Sequence, residues 1–410
     1  MDDNSLQAML ERALEDEPPI GRSLARNSLL AGIKLRRRHR VQRSAGSLAA
    51  VLAIAVAVPL TASIHHHGAG PDAGNGWIAY VADNGTDTVT PISTATNTAA
   101  KPITVGLTPT AIAITPNGKT AYVVSQSGSV TPITTATGKA GPPIKVGSNP
   151  TAIVITPNGK TAYVANIDAK TVTPITIATD KAGSPIKVGT RPRDIEITPN
   201  GKTAYVINQG GTVTPITIAT NKPGAGIKVG AGPLVGAITP NGKTLYVLNT
   251  SGAGTGTVTP ITTATNTAGS PISVGEIPYA IAITPDGKTA YVVNLGSGTV
   301  TPISTATDKA GQPIAVGPEP QAIVISPNGK TAYVPVYKSG VVVPISLATG
   351  KPGRPIKAGS ALTIAITPDG KTVYVANANR NTVTPISTAT DKAGKPIKTG
   401  KSPYSITIAS

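Results

Sequence analysis

Tyr163-Val164-Ala165-Asn166 is one of eight places where this chain reads Tyr-Val, the others starting at Tyr80, Tyr122, Tyr205, Tyr246, Tyr291, Tyr333 and Tyr374. The spacings are 42, 41, 42, 41, 45, 42 and 41 residues. Self-similarity at a nearly fixed period marks a repeat architecture, in which each unit buries its apolar face only against its neighbours. Most of the chain is therefore one unit written eight times.

Working outward, each copy contains four short β segments. In the copy around Tyr122, Ala111-Ile112-Ala113-Ile114 alternates and reads as a first strand. Pro116-Asn117-Gly118-Lys119 has turn chemistry, and Thr120-Ala121-Tyr122-Val123 begins a second strand, so the pair predicts a hairpin. Val130-Thr131-Pro132-Ile133 is a third strand, Ala136 to Gly141 a turn, and Ile144-Lys145-Val146 a fourth. A four-stranded antiparallel unit every 41 to 45 residues predicts an all-β fold, a β-propeller with one blade per copy. Pro132, Pro174, Pro215 and their equivalents are an obstacle, because a third strand has partners on both sides and proline donates nothing. The expectation is a fourth strand that is short or bulged opposite the proline.

The order of elements predicts closure. The chain enters at a second strand, Ile78 to Ala82, and ends on a lone first strand, Ser405-Ile406-Thr407-Ile408. The two ends should complete one blade, giving an eight-bladed β-propeller of four-stranded antiparallel blades; seven blades plus a spare unit is the alternative. The eight repeated tyrosines are expected to pack between blades with each hydroxyl reaching a polar partner.

The Tyr-Val-x-Asn strand, the preceding Ile-Thr-Pro-Asn/Asp-Gly-Lys-Thr turn and the following Ala-Thr-x-Lys segment together resemble the YVTN-type propeller repeats of bacterial and archaeal surface proteins. The resemblance covers residues 77–410. It implies a propeller and an exported location, and brings no chemistry with it. Two copies depart from the pattern, one with Leu234-Val235-Gly236-Ala237 in the first strand and one with Tyr333-Val334-Pro335-Val336 in the second.

Residues 1–43 differ in kind. Asn4 and Gln7 can form a capping box before Leu6, Leu10 and Leu14, which lie on one helical face until Pro18-Pro19. A second helical stretch runs into the basic cluster Lys34 to Arg40. Residues 44–64 carry no charge and are about the twenty residues that a transmembrane helix needs. Basic residues stay on the cytoplasmic side, so the expected layout is a cytoplasmic helical head with a basic collar (1–43), one transmembrane helix (44–64), a flexible linker (65–76) and an extracytoplasmic propeller (77–410). Signal cleavage near Thr61-Ala62-Ser63, giving a secreted protein, is the alternative. His65-His66-His67 reads as part of the solvated linker rather than as a metal tract.

Composition excludes several chemistries. There is no cysteine, and the four histidines all lie before the repeats, so Ser-His-Asp and Cys-His catalysis and His-ligated metals are unavailable to the propeller. No catalytic residue, metal or cofactor is assigned. The repeat region carries 27 Lys or Arg against 12 Asp or Glu, much of the surplus in the turn lysines Lys119, Lys160, Lys202, Lys243, Lys288, Lys330 and Lys371. Attraction to an anionic polymer or to lipid head groups, and simple solubility, are the two readings of that excess. Nucleic acid is not expected outside the cell, where stacking aromatics would also be needed.

In an up-and-down blade, the turns after the first and third strands share one end, while the loop after the second strand and the link to the next blade share the other. The first set is nearly constant across copies and the second differs in each, so the variable end is the expected binding face. Its candidate residues are Arg191, Arg193, Asp194, Glu196, Glu276, Tyr279, Glu319 and Tyr404, with Tyr279 and Tyr404 placed at the channel mouth because they follow the link proline. Asp194 and Glu196 stand where another copy has Ala111 and Ala113. Their bland reading is an Arg-carboxylate cluster with Arg191 and Arg193. Their sharper reading is a lactonase-like hydrolase that binds calcium or uses a carboxylate base. The functional expectation is a membrane-anchored binding scaffold for an unidentified protein or cell-wall polymer, with the hydrolase as alternative.

Overall fold

Thr120–Ser125 pairs on one side with Pro109–Ile114 and on the other with Ser129–Thr134, and the same three-strand core recurs around the molecule. The computed structural model describes residues 76–250 and 254–409, which form eight antiparallel sheets. The head, span and linker expected over residues 1–75 lie outside the described residues. Among the described residues no helix is long and apolar enough to cross a membrane.

Blades are numbered here from the one that begins at Ile78. Its second and third strands, Ile78–Asp83 and Thr88–Ser93, take their innermost neighbour from the other end of the chain, with Tyr80 opposite Thr407 and Val81 opposite Ile406. The C-terminal strand is Pro403–Ile408. The innermost strands of blades 2 to 6 are Pro109–Ile114, Pro150–Ile155, Pro192–Ile197, Pro233–Ile238 and Pro278–Ile283. Blades 7 and 8 have shorter ones, Val324–Ile325 and Thr363–Ile366. Each touches the innermost strand of the next blade, and the last touches Pro403–Ile408, so the ring is closed with eight blades.

The proline problem resolves as expected. The fourth strand of blade 2 is split into Lys139–Ala140 and Ile144–Lys145, which pair with the two ends of the third strand and bulge away from its middle. The Pro132 carbonyl accepts from Gly141 N at 2.8 Å, so the Pro132 nitrogen also points outward, toward the bulge. The missing donor costs the inner pairing with Tyr122 nothing. In blade 7 the departure at Pro335 has a different result. Its carbonyl accepts from Gln321 N, so its nitrogen faces the innermost strand, which there shrinks to two residues and an isolated bridge between Pro320 and Val336.

The core lies between blades. Tyr122, Val124 and Val130 of blade 2 meet Ile153, Ala162 and Val164 of blade 3, and equivalent apolar clusters occupy the other seven interfaces. All eight repeated tyrosines are buried. Their hydroxyls reach the turn after the third strand of the next blade: Tyr122 to Asp180 Oδ1 (2.5 Å), Tyr163 to Asn221 (2.6 Å), Tyr205 to Asn266 (2.7 Å), Tyr246 to Asp308 (2.6 Å), Tyr333 to Asp391 (3.3 Å) and Tyr374 to Asn97 (2.6 Å). Those Asn and Asp residues all have φ between 51° and 54° or 55°, the left-handed turn conformation that these two types tolerate best. Position x of Ala-Thr-x-Lys thus serves turn geometry and inter-blade bonding together. Gly138 and Gly350 take that place in blades 2 and 7, and Tyr80 bonds instead to the Thr135 carbonyl at 3.3 Å.

The Asn that ends the second strand in five blades interlocks with the preceding link. Asn166 accepts from Gly147 N at 3.1 Å and donates to Thr173 Oγ1 at 2.9 Å. A Cβ on Gly147 would fall 2.7 Å from Asn166 Cγ, which is why the repeat ends in glycine. Blade 1 has Asp83 at this position. The strand expected over Ile78 to Ala82 runs one residue further, so Asp83 ends it and is fully buried, accepting from Thr90 Oγ1 at 2.5 Å. A carboxylate offers no donor for the role that the Asn amide fills elsewhere.

Candidate functional site

The two ends of the ring separate as the topology predicts. At the constant end, Thr115 Oγ1 donates to Asn117 Oδ1 at 2.7 Å and the Lys119 amide donates to the same oxygen at 3.1 Å, which fixes the Pro-Asn-Gly-Lys turn. Thr135 N donates to the Lys119 carbonyl, bringing the turn after the third strand alongside. At the variable end, the loop after each second strand is tied to the incoming link: Gln209 N donates to Arg191 O (3.0 Å), Leu295 N to Ile277 O (2.9 Å) and Tyr337 N to Glu319 O (3.0 Å). The link residues Thr108, Asn149, Arg191, Ile277, Glu319 and Ser402 hold φ between 50° and 59°, a left-handed conformation that is uncommon for such side chains. These loops are braced, and Asn379 Nδ2 donates to Tyr337 Oη at 2.8 Å to join two of them.

The innermost strands present a free backbone edge to the channel, because only their outer edge is paired. In blade 5, Thr239 N donates to Thr244 O, so by alternation the Gly236 amide faces the channel. Asp194 of blade 4 covers it, Oδ2 accepting from Gly236 N at 3.0 Å. Thr407 Oγ1 likewise donates to Ile112 O at 3.1 Å, and Thr151 Oγ1 to Arg193 O at 3.4 Å. The site of Gly236 is also tight: a Cβ there would lie 2.7 Å from Ile207 Cδ1 and 2.9 Å from Leu245 Cδ1, so those side-chain ends would have to shift, and 3.1 Å from the Tyr246 carbonyl oxygen.

Arg193, Tyr279 and Tyr404 each occupy the second position of an innermost strand, in blades 4, 6 and 1. They share one electrostatic environment. Burial and then the nearby Arg191 hold the Arg193 guanidinium below its ordinary value, while Tyr404 and Tyr279 act the other way. Burial pushes both phenols up, with Arg193 pulling against it in each. The Tyr404 hydroxyl is buried without a hydrogen-bond partner.

Asp194 and Glu196 follow on the same strand and are both buried. Burial raises the Asp194 carboxyl to about 6 against the opposing bonds from the Gly236 and Ile195 amides. Glu196 is pushed well up by burial and by the Asp194 charge, and its Oε1 has no partner. Asp194 is held by a backbone amide, and Lys288–Asp286, Lys338–Glu319 and Lys371–Asp369 are ion pairs elsewhere among the described residues. Among the described residues no group of three or more His, Cys, Asp or Glu could hold a metal.

The remaining candidates stay on outer loops. Arg191 is exposed and its Nε donates to Gln209 Oε1 at 2.9 Å. Glu276 is exposed at the end of Ile272–Glu276, a fourth strand that in blade 5 extends to pair with Thr255. Glu319 lies 3.9 Å from Lys338 Nζ. Sequence reasoning missed the Gly236–Asp194 bond, although the break in alternation at 234–237 was its visible trace.

No protein-family model and no curated protein matches the chain. Solved structures do. Hydrazine synthase from Kuenenia stuttgartiensis is 26% identical over 69% of this chain and 96% of its own, with a TM-score of 0.57. The dihydro-heme d1 dehydrogenase NirN, solved in complex with DHE, is 14% identical with a TM-score of 0.70, covering 80% of this chain and 74% of that one. AztD from Citrobacter koseri is 14% identical with a TM-score of 0.62, covering 82% and 99%. At 14% identity the likeness to NirN and AztD is one of fold alone.

Proposed function

We propose that this chain is a YVTN-type, membrane-anchored extracytoplasmic propeller whose variable face and channel mouth bind a partner at the cell surface. The observation that carries the reading is the meeting of Arg193, Tyr279 and Tyr404 from three blades on the face where every loop differs. One arginine and two tyrosines at the same second position of three innermost strands give the variable end of the channel the residue types from which binding hot spots are built. The partner is a protein or a cell-wall polymer, and residues 44–64 hold the chain to the membrane.

The test separates the two faces. One variant replaces Arg193, Tyr279, Glu319 and Tyr404, and another replaces Lys119, Lys202 and Lys288. Capture of envelope components by the full chain should lose its salt-resistant fraction in the first variant, and only a salt-sensitive fraction in the second. Loss of the salt-resistant partner from the lysine changes alone, with the mouth changes silent, overturns the assignment.

The buried pair Asp194 and Glu196 supports a second reading, a carboxylate-dependent hydrolase, because raised carboxyl groups inside a channel are the form a general acid takes. A rise in melting temperature with calcium across roughly 0.1–10 mM would favour it. No shift would count against the metal-dependent form of that activity.

A further inference from the structure

Both ends of the described propeller lie on the constant face. Gly76 has φ 67°, as do Gly118, Gly159 and Gly201 of the Pro-Asn-Gly-Lys turns. Trp77 accepts from Thr94 N at 2.9 Å, just as Lys119 accepts from Thr135 N at 3.0 Å. The chain thus enters blade 1 where the other blades carry their lysine turn. The last strand finishes at the same end, Ala409 N donating to Ile78 O at 2.9 Å.

That end is also where charge accumulates. It holds the seven turn lysines together with Lys139, Lys181, Lys222, Lys309, Lys351 and Lys392 beside the second set of turns, thirteen lysines, all exposed. Against them stand five aspartates. Asp286 and Asp369 lie 3.6 and 3.4 Å from Lys288 and Lys371, and Asp180, Asp308 and Asp391 accept from inter-blade tyrosines. The variable end is basic too: Lys170, Arg191, Arg193, Lys338, Arg380 and Lys401 are joined there by Lys145, Lys187, Lys228, Lys357 and Lys398, which pair with the first residue of a third strand, against Asp83, Asp87, Asp168, Glu276 and Glu319. What distinguishes the constant end is that its lysines surround the point where the chain enters the ring.

We propose that the constant face docks on anionic lipid head groups of the membrane that holds residues 44–64, which turns the variable face away from the bilayer. The inference rests on the membrane-anchor reading above. Residues 65–75 are eleven in number and, fully extended, span at most about 40 Å. They end at Gly76, on the lysine face. To present the variable face to the bilayer, the tether would have to pass outside a blade whose six-residue strands alone stand about 20 Å tall, with the turns added at each end. Screening confines lysine attraction to about 8–10 Å, so only the face nearest the lipid contributes, and that is the face the tether delivers.

The absence of cysteine from the chain makes the test direct. Two full-length variants each carry one dye, at Ala178→Cys on an exposed turn of the constant face or at Asp168→Cys on an exposed loop of the variable face. They are inserted into vesicles containing about 30% phosphatidylglycerol, or phosphatidylcholine alone, with an acceptor dye on the head groups. Energy transfer from position 178 should exceed that from 168 by roughly twofold or more, and should fall when phosphatidylglycerol is omitted or when Lys119, Lys202, Lys288 and Lys330 become Gln. Equal or reversed transfer from protein that floats with the vesicles overturns the orientation and leaves the anchor standing. Transfer that ignores lipid charge and the lysine changes overturns the docking, as does displacement of an unchanged lipid signal onto a soluble polyphosphate chain. Failure of the full-length chain to float with either vesicle overturns the anchor and this inference with it.

Discussion

Tyr374 Oη donates to Asn97 Oδ1 at 2.6 Å, joining residues 277 apart and bonding the eighth blade to the first. The same tyrosine-to-turn bond, made between five other pairs of blades, means that the closing interface uses the chemistry of the rest. The ring has no specialised seam in its tyrosines. Among the described residues, the tyrosine-to-turn bond changes where the turn residue is Gly138 or Gly350.

Those two joints can be improved. An Asn at position 138 or 350 would enter a left-handed turn it tolerates, where a Cβ meets nothing closer than Ile103 Cδ1 at 3.6 Å for 138 and nothing within 4 Å for 350. It would offer Tyr80 or Tyr291 the acceptor that the other six tyrosines have. Gly138→Asn and Gly350→Asn should each stabilise by about 0.5–1.5 kcal/mol. Asn221→Ala should cost about 2–3 kcal/mol, losing a bond to a buried hydroxyl and gaining backbone strain. Denaturant unfolding midpoints check both directions.

Closure predicts a second result. Deleting Ser405 to Ala409 removes the partners of Ala79 to Ala82 and exposes the inner edge of blade 1. The unfolding temperature should drop far more than after deleting residues 68–75. Equal, small effects from the two deletions would contradict the ring described here.

The buried carboxyls set a pH dependence with a definite sign. Burial lifts Asp83 to about 6, against hydrogen bonds led by Thr90, and Asp194 also to about 6, from ordinary values of 3.8. A group whose folded value lies above its unfolded one contributes fully below pH of about 4, and that contribution is lost as pH rises through about 6. These two sites should therefore weaken the fold as pH rises from about 4 to about 6 and add no further pH dependence above that. Asp83→Asn, which restores the amide found in five other blades, should raise stability at pH 8 by about 1–2 kcal/mol and leave pH 4 little changed. Thermal melts of wild type and variant at the two pH values decide it.

Gly236 yields the fourth expectation. A Cβ at this position would force the Ile207 and Leu245 side-chain ends to move and crowd the Tyr246 carbonyl, next to the amide that Asp194 caps. Gly236→Ala should destabilise by about 1–3 kcal/mol. It should also raise the Asp194 carboxyl further, since the opposing amide bond is lost, which a carbon-resolved NMR titration would show.

Much of this architecture is written in the repeat. Tyr-Val at near-constant spacing, alternating apolar residues and Pro-Asn-Gly-Lys turns specify blades, their number and the missing strand that the C-terminus supplies, because period, alternation and turn chemistry are local properties of the chain. Even the bulge opposite Pro132 follows, since a residue without a donor can be accommodated only where no partner needs one. The separation of a constant from a variable end is legible for the same reason.

The tertiary structure decided what depends on neighbours 40 or more residues away. That Asp194 meets the Gly236 amide, that Asp83 is fully buried, and what the tyrosine hydroxyls bond to are settled by how adjacent blades abut. A sequence states that a carboxylate is present; the dielectric and the donors around it come from packing, and these determine its charge. Arg193, Tyr279 and Tyr404 are far apart in the chain and become one environment only because eight blades close around a common axis.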